Sequence, residues 1–151
     1  MVKMIDITEK TEVYREATAT GFIKLRPETI RRIREGLIEK GDVFTVSTIA
    51  AINAVKSVPH LLPLTHNIPI TTVDVQYMVE ESGVRVYVKV KTTAKTGVEM
   101  EALTGATVAL LNIWDMVKKY EKDEKGQYPH TVISDVRVVE KIKGGLSESR
   151  S

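Results

Sequence analysis

The sequence predicts an α+β chain, with about four strands, mostly antiparallel, and three helices on one face of the sheet. Two observations carry this. First, Val73, Val75, Tyr77 and Val79 fall on one face of an extended run, and Val84, Val86, Val88 and Val90 do the same in the next. The Ser82-Gly83 turn between these runs makes them a hairpin. Second, runs with apolar residues at helical spacing flank that hairpin on both sides.

The elements follow in order. Residues 1–18 are polar and read as irregular, with 1–10 flexible. "ATGFIKL" alternates as a strand. In "RPETIRRIREGLIEKGD", Pro27 suits a first helical turn, and Ile30, Ile33 and Leu37 recur at helical spacing. The chain then turns at Lys40-Gly41-Asp42. "VFTVSTIAAINAVKSV" reads as a buried helix ended by Pro59. "HLLPLTHNIPIT" carries two prolines and is an apolar loop, which sets it apart from ordinary surface loops. After the hairpin comes a long helix, "VEMEALTGATVALLNIWDMVKK", then the charged loop "EKDEKGQYPHT" and a last strand, "VISDVRVVEKI". Residues 144–151 read as a flexible tail. No repeat or internal boundary interrupts the chain, so 1–151 is expected to be one domain.

Composition excludes several classes. The net charge of +2 is small and the basic residues are dispersed, so a nucleic-acid partner is not expected. No run of about 18 apolar residues exists, so no membrane span is expected. The first residues lack the apolar core of a signal peptide, and a cytoplasmic location is the simplest expectation. The chain has no cysteine, which removes disulfides, thiolate ligands and cysteine nucleophiles. Its histidines lack metal-ligand spacing, so no metal site and no cofactor are expected. No glycine-rich phosphate loop is present either.

Several charged residues read two ways. His66, in the apolar loop, is either bonded to backbone or a titrating contact in a pocket wall. Glu99 and Glu101 either offset the dipole of a helix N-terminus or line a site. Asp115 and Lys118, three apart on a helix, are either a surface pair or a reactive one. Lys40 and Lys56 are either solvated or phosphate ligands. The hairpin face bearing Arg85, Lys89 and Lys91 reads as solvated.

Spacing sharpens the long helix. Glu101 and Asp115 are fourteen residues apart, which puts them within about 40° of one stripe and about 21 Å apart along the axis. Thr104, Gly105, Val108 and Asn112 lie between them, a small and polar stripe distinct from Leu103, Leu110, Ile113 and Val117. One small ligand does not span that distance within one chain. Two copies about a two-fold axis bring one chain's Glu101 near the other's Asp115, which predicts a site at a subunit interface.

The run "KTGVEMEALTGATVALLNIWDMVKK", the loop "LLPLTHNIPIT", the turn "KGDVF" followed by "IAAINAVK", and the opening "IDITEKTEVYREA" together resemble the molybdenum cofactor biosynthesis protein C family. That family comprises the cyclic pyranopterin monophosphate synthases, and the resemblance covers nearly the whole chain. It implies a ferredoxin-like subunit. It also implies a homo-oligomer, a hexamer built as a trimer of dimers, with the pocket between subunits. The implied activity is a lyase reaction in molybdopterin synthesis. The small-molecule substrate is a cyclised dihydro-GTP, 3′,8-cyclo-7,8-dihydroguanosine 5′-triphosphate, and the products are cyclic pyranopterin monophosphate and pyrophosphate. By position, the resemblance makes Asp115 and Lys118 catalytic. It makes Leu64, Thr65, His66, Met100 and Glu101 substrate-binding, with Lys40, Lys56 and Glu99 as further pocket groups. The chain departs from the family at three places. Thr65 stands where a cysteine is usual, Val117 stands before the catalytic lysine in place of another, and the tail reads "KIKGGLS" where Lys-Ser-Gly-Gly-Lys is usual, with Lys141 or Lys143 in the first lysine's place. The rival reading is a non-catalytic oligomeric protein that binds nucleotide or serves assembly.

Overall fold

The structure is a computed structural model and describes residues 1–144. Its elements are β1 (Val13–Lys24), α1 (Pro27–Glu35), α2 (Val43–Lys56), α3 (Val58–Leu61), β2 (Ile70–Glu80), β3 (Gly83–Ala94), α4 (Glu99–Glu121) and β4 (Val132–Lys143). The strands form one sheet in the order β2-β3-β1-β4, antiparallel at every neighbouring pair. This is an α+β fold with the βαββαβ arrangement of ferredoxin-like proteins.

The core lies between the sheet and the helices. Val84, Val86, Val88 and Val90 of β3 are fully buried on the helix side, as their alternation predicts. Beside them β1 presents Ala17 and Ala19, also fully buried, then Gly21. These small residues make room for α4: a Cβ on Gly21 would meet Leu110 Cδ1 at 2.7 Å. Leu110, Ile113 and Val117 of α4 are fully buried, while Leu103 and Trp114 are partly so.

Several elements differ from expectation, each for a local reason. β1 begins at Val13, inside the stretch read as irregular. Arg15 and Glu16 disguise it, since both are buried and polar. Arg15 donates to the carbonyls of Ala94 and Lys95, and Glu16 accepts from Tyr14 Oη at 2.7 Å. The first twelve residues form no helix or strand but are tied down at two points. The Ile5 carbonyl accepts from His66 Nε2 at 2.8 Å, and the Thr8 carbonyl accepts from Lys95 Nζ at 3.2 Å.

α1 stops at Glu35, because Gly36 takes the left-handed conformation (φ 69°) that closes a helix. Leu37 therefore falls outside the helix, and Ile38 is the buried residue instead. Among the described residues four helices form rather than three. α2 ends at Lys56, and Pro59 lies in the first turn of the short α3, where its missing N–H costs nothing. The hairpin turns at Glu81-Ser82, one residue early, and Gly83 opens β3. The Arg85 face is not simply solvated. Arg85 pairs with Glu80 at 3.4 Å and Asp135 at 3.0 Å, and Lys89 reaches Glu16 at 3.8 Å. The expected flexible tail falls, from residue 145 on, outside the described residues.

Candidate functional site

The candidate residues fall into two groups at opposite ends of α4. At its N-terminal end, the loop after α3 brings Leu64, Thr65 and His66 over Glu99, Met100 and Glu101. Between them is a cleft of about 320 Å³, closed on its far side by Ile5, Ile7 and Lys10. Lys56, at the end of α2, shares with Glu101 a neighbouring cleft of about 330 Å³. The prolines explain the apolar loop: it is the wall of these clefts and does not pair as a strand.

Glu101 is the most unusual group here, a carboxylate only 3% exposed. Burial pushes its carboxyl up from the ordinary range, and the nearby charge of Glu99 adds to this. Glu99 is the first residue of α4. Its side chain folds back beside Gly97, where a Cβ would lie 2.3 Å from Glu99 Oε1. It thereby avoids the apolar face and pairs with Lys141 at 3.3 Å. The pair brings Lys141, from β4, to this end of α4. Thr65 is committed to its own loop, since its hydroxyl donates to the Leu62 carbonyl at 2.7 Å. Leu64 is half-exposed at the cleft.

At the C-terminal end, Asp115 lies between two ammonium groups. Lys40 Nζ donates to Asp115 Oδ2 at 3.0 Å and to the Asp115 carbonyl at 3.2 Å. Lys118 Nζ donates to Asp115 Oδ1 at 3.0 Å. The hydrogen bonds from Lys40 and then Lys118 hold the Asp115 carboxyl below the usual range, and Asp115 in turn raises Lys118. Within one chain Asp115 is half-exposed. Helical spacing explains this. Met116 turns inward and is 4% exposed, while Asp115, one step away, turns outward. Lys40 pairs with Asp115 although 75 residues separate them, a link that spacing does not reveal.

The stripe between the two acids has a use other than the one expected. At Gly105 the neighbours leave no room for a side chain: a Cβ there would meet Val55 Cγ2 of α2 at 2.9 Å and Val88 Cγ1 of β3 at 3.0 Å. Asn112 Nδ2 donates to Ser47 Oγ at 3.0 Å, and Ser47 is fully buried. Gly105 and Asn112 therefore pack α4 against α2 in the same chain. The separation of the two groups stands: fourteen residues of continuous helix put Glu101 and Asp115 about 21 Å apart.

Sequence reading passed over Lys10, which lines the first cleft from an irregular segment with no periodic pattern. His60 and His130 are exposed and belong to neither group. Among the described residues, no cluster of three or more acids and histidines is placed to hold a metal ion. No helix among them is long and apolar enough to cross a membrane.

The arrangement offers a carboxylate with two lysines for proton transfer, and a recessed cleft with an acid and a histidine for recognition. The chain was compared with known proteins. The model of the MoaC family matches residues 4–144. The chain is similar to a probable cyclic pyranopterin monophosphate synthase of Aeropyrum pernix, 60% identical over 93% of this chain and 97% of the relative. It is similar to one of Saccharolobus solfataricus, 57% identical over 93% of this chain and 95% of the relative. A third, of Pyrococcus abyssi, is 60% identical over 94% of this chain and 89% of the relative.

Proposed function

The chain belongs to the MoaC family, and from that premise we infer that it acts as a cyclic pyranopterin monophosphate synthase, a lyase of molybdenum cofactor biosynthesis. Its substrate is the cyclised dihydro-GTP, which it converts to cyclic pyranopterin monophosphate with release of pyrophosphate. The observation that carries the chemistry is the Asp115 carboxylate held between Lys40 and Lys118.

Opening a purine ring, rebuilding it as a pterin and closing a cyclic phosphate all need protons delivered and removed. Asp115, kept ionised by its lysines, serves as the base, and an ammonium beside it serves as the acid. A leaving pyrophosphate gathers negative charge, which Lys40, Lys56 and His66 are suited to offset. Glu101, buried with a raised carboxyl, faces the cleft where a guanine or pterin edge would hydrogen-bond. Leu64, Thr65 and Met100 shape the wall, and Glu99 with Lys141 closes one side.

The two groups are too far apart to serve one small substrate within one chain. We propose that the site is completed by a second copy, with the Glu101 end of one chain against the Asp115 end of another. The proposed assembly is a hexamer formed as a trimer of dimers, operating in the cytoplasm.

Incubating the purified chain with the cyclised GTP tests the reaction. A pterin product and stoichiometric pyrophosphate are expected, and neither would appear if the chain only binds nucleotide. Asp115→Asn and Lys118→Ala should each slow turnover by about a hundredfold or more while the fold survives. Near-normal turnover in either removes its role. Mixing subunits tests the shared site. Asp115→Asn and Glu101→Ala chains, each inactive alone, should recover up to about a quarter of full activity when reassembled together. Half the pairs are then mixed, and each mixed pair has one intact site. A mixture as inactive as its parts would show that each site lies within one chain.

A further inference from the structure

Lys40 is carried on a segment without helix or strand. Residues 36–42 run between α1 and α2, and the tip of this segment must be held if Lys40 is to stay on Asp115. Ile38, 8% exposed, anchors one side in the core. Asp42 anchors the other by accepting from Thr45 N at 2.9 Å as the cap of α2. Between these anchors the backbone has one further tie to α4. The Glu39 amide donates to the phenol oxygen of Tyr120 at 2.9 Å. The Glu39 carboxylate pairs with Lys119, Tyr120's neighbour. Tyr120 is itself held by the Arg32 guanidinium, 4.7 Å above its ring, and by Arg26 Nη1, which donates to its carbonyl at 3.2 Å.

We propose that Tyr120 is a positioning residue for Lys40: its phenol oxygen holds the Glu39 amide and thereby sets the ammonium of the next residue against Asp115. This rests on the reading of Lys40 and Asp115 as parts of the reacting group. Tyr120 touches neither. It lies five residues beyond Asp115 on α4 and bonds the Glu39 amide, so it sets where the loop sits and not what the loop carries. Lys118 needs no such help, because it reaches Asp115 from the same helix.

The consequence is specific. The groups facing Asp115 are Lys40 from the loop and Lys118 from α4, with the Tyr128 phenol of the following loop near Lys118. Lys119 is engaged by Glu39. Loosening the loop therefore weakens one of the two hydrogen bonds that keep Asp115 ionised and leaves the other intact.

Tyr120→Phe keeps the ring and its Arg32 contact and deletes only the acceptor. It should lower kcat/KM by about three- to tenfold, the range for one neutral hydrogen bond. It should also raise the acid limb of the pH profile. The same shift should appear without turnover, in a titration of carbon-13-labelled aspartate carboxyls assigned through Asp115→Asn. There the Asp115 midpoint should rise in Lys40→Ala and move part of that way in Tyr120→Phe. Lys119→Ala, which frees Glu39 from the other side, should move it in the same direction if Tyr120→Phe proves unstable. If Lys40→Ala shifts Asp115 and neither Tyr120→Phe nor Lys119→Ala does, the positioning role is wrong. If Lys40→Ala leaves Asp115 unmoved, the Lys40–Asp115 pairing in the proposed function is what fails.

Discussion

Glu121 provides the sharpest test of how the C-terminal end of α4 is held. It is 1% exposed. Its Oε2 accepts from Arg26 N at 3.1 Å and from the Thr29 hydroxyl, and its Oε1 accepts from the Thr131 hydroxyl at 2.6 Å. α1 has no capping side chain of its own. Glu121 supplies the cap from another helix, with its negative charge at the positive end of α1. Glu121→Ala leaves two buried hydroxyls and a backbone N–H without an acceptor. At about 1–3 kcal/mol each, less what hydroxyl rotation and an entering water recover, the loss is roughly 3–5 kcal/mol. Glu121→Gln behaves differently. Its carbonyl oxygen keeps the Arg26 and Thr29 bonds, and its amide donates to a Thr131 hydroxyl that turns to accept. Only charge assistance is lost, about 1 kcal/mol. Urea unfolding at equal chain concentration, followed by the fluorescence of Trp114, measures both. Trp114 is the chain's one tryptophan and meets Tyr128 edge-on, 5.1 Å away, two turns from Glu121. With a slope near 2 kcal/mol per molar, the Ala midpoint should fall by roughly 2 M and the Gln midpoint by about 0.5 M. Equal losses in the two variants would refute the capping argument.

Other expectations follow from the same contacts. Burial raises the folded Glu101 carboxyl, so its stabilising contribution is complete below the unfolded pKa and is lost as pH rises through the folded one. Glu101→Gln should therefore raise the melting temperature at neutral pH and narrow its fall between acidic and neutral pH, while abolishing turnover. An unchanged melting profile would contradict the burial argument. Gly105→Ala pushes a methyl to 2.9 Å from Val55 and 3.0 Å from Val88, side chains able to shift. It should cost about 1–2 kcal/mol after the helix gain of alanine. Gly83→Ala meets the Ile23 carbonyl at 1.9 Å, and backbone cannot move without breaking β1 pairing, so it should cost more. Chemical denaturation of the two variants checks the order.

Much of the fold is legible because its signals are local. Valine alternation in β2 and β3 has only one satisfactory solution, with the valines inward. The β1 start was hidden because its buried Arg15 and Glu16 find partners far away in sequence, in Ala94, Lys95 and Lys89. No local pattern announces such partners. The end of α1 is a balance between apolar period and a glycine, and Gly36 wins because two backbone N–H groups close the turn there. Pro59 was misplaced for the opposite reason: it forbids continuing a helix but permits starting one.

The site was legible to the extent that α4 is a ruler. Helical geometry alone separates Glu101 from Asp115, and the proposed function reads the two ends as half-sites. The ruler does not say what each face touches. Gly105 and Asn112 read as a face kept small for a partner, yet the helix that approaches there is α2. This strengthens the case that the two half-sites act together across chains. Ties to α2 through Gly105 and Asn112, and to α1 through Glu121, fix α4 at both its middle and its end. A helix so held cannot bend or slide enough to bring its ends to one ligand, since that would break buried contacts along its length. Catalysis that needs both ends must bring a second α4 to the first.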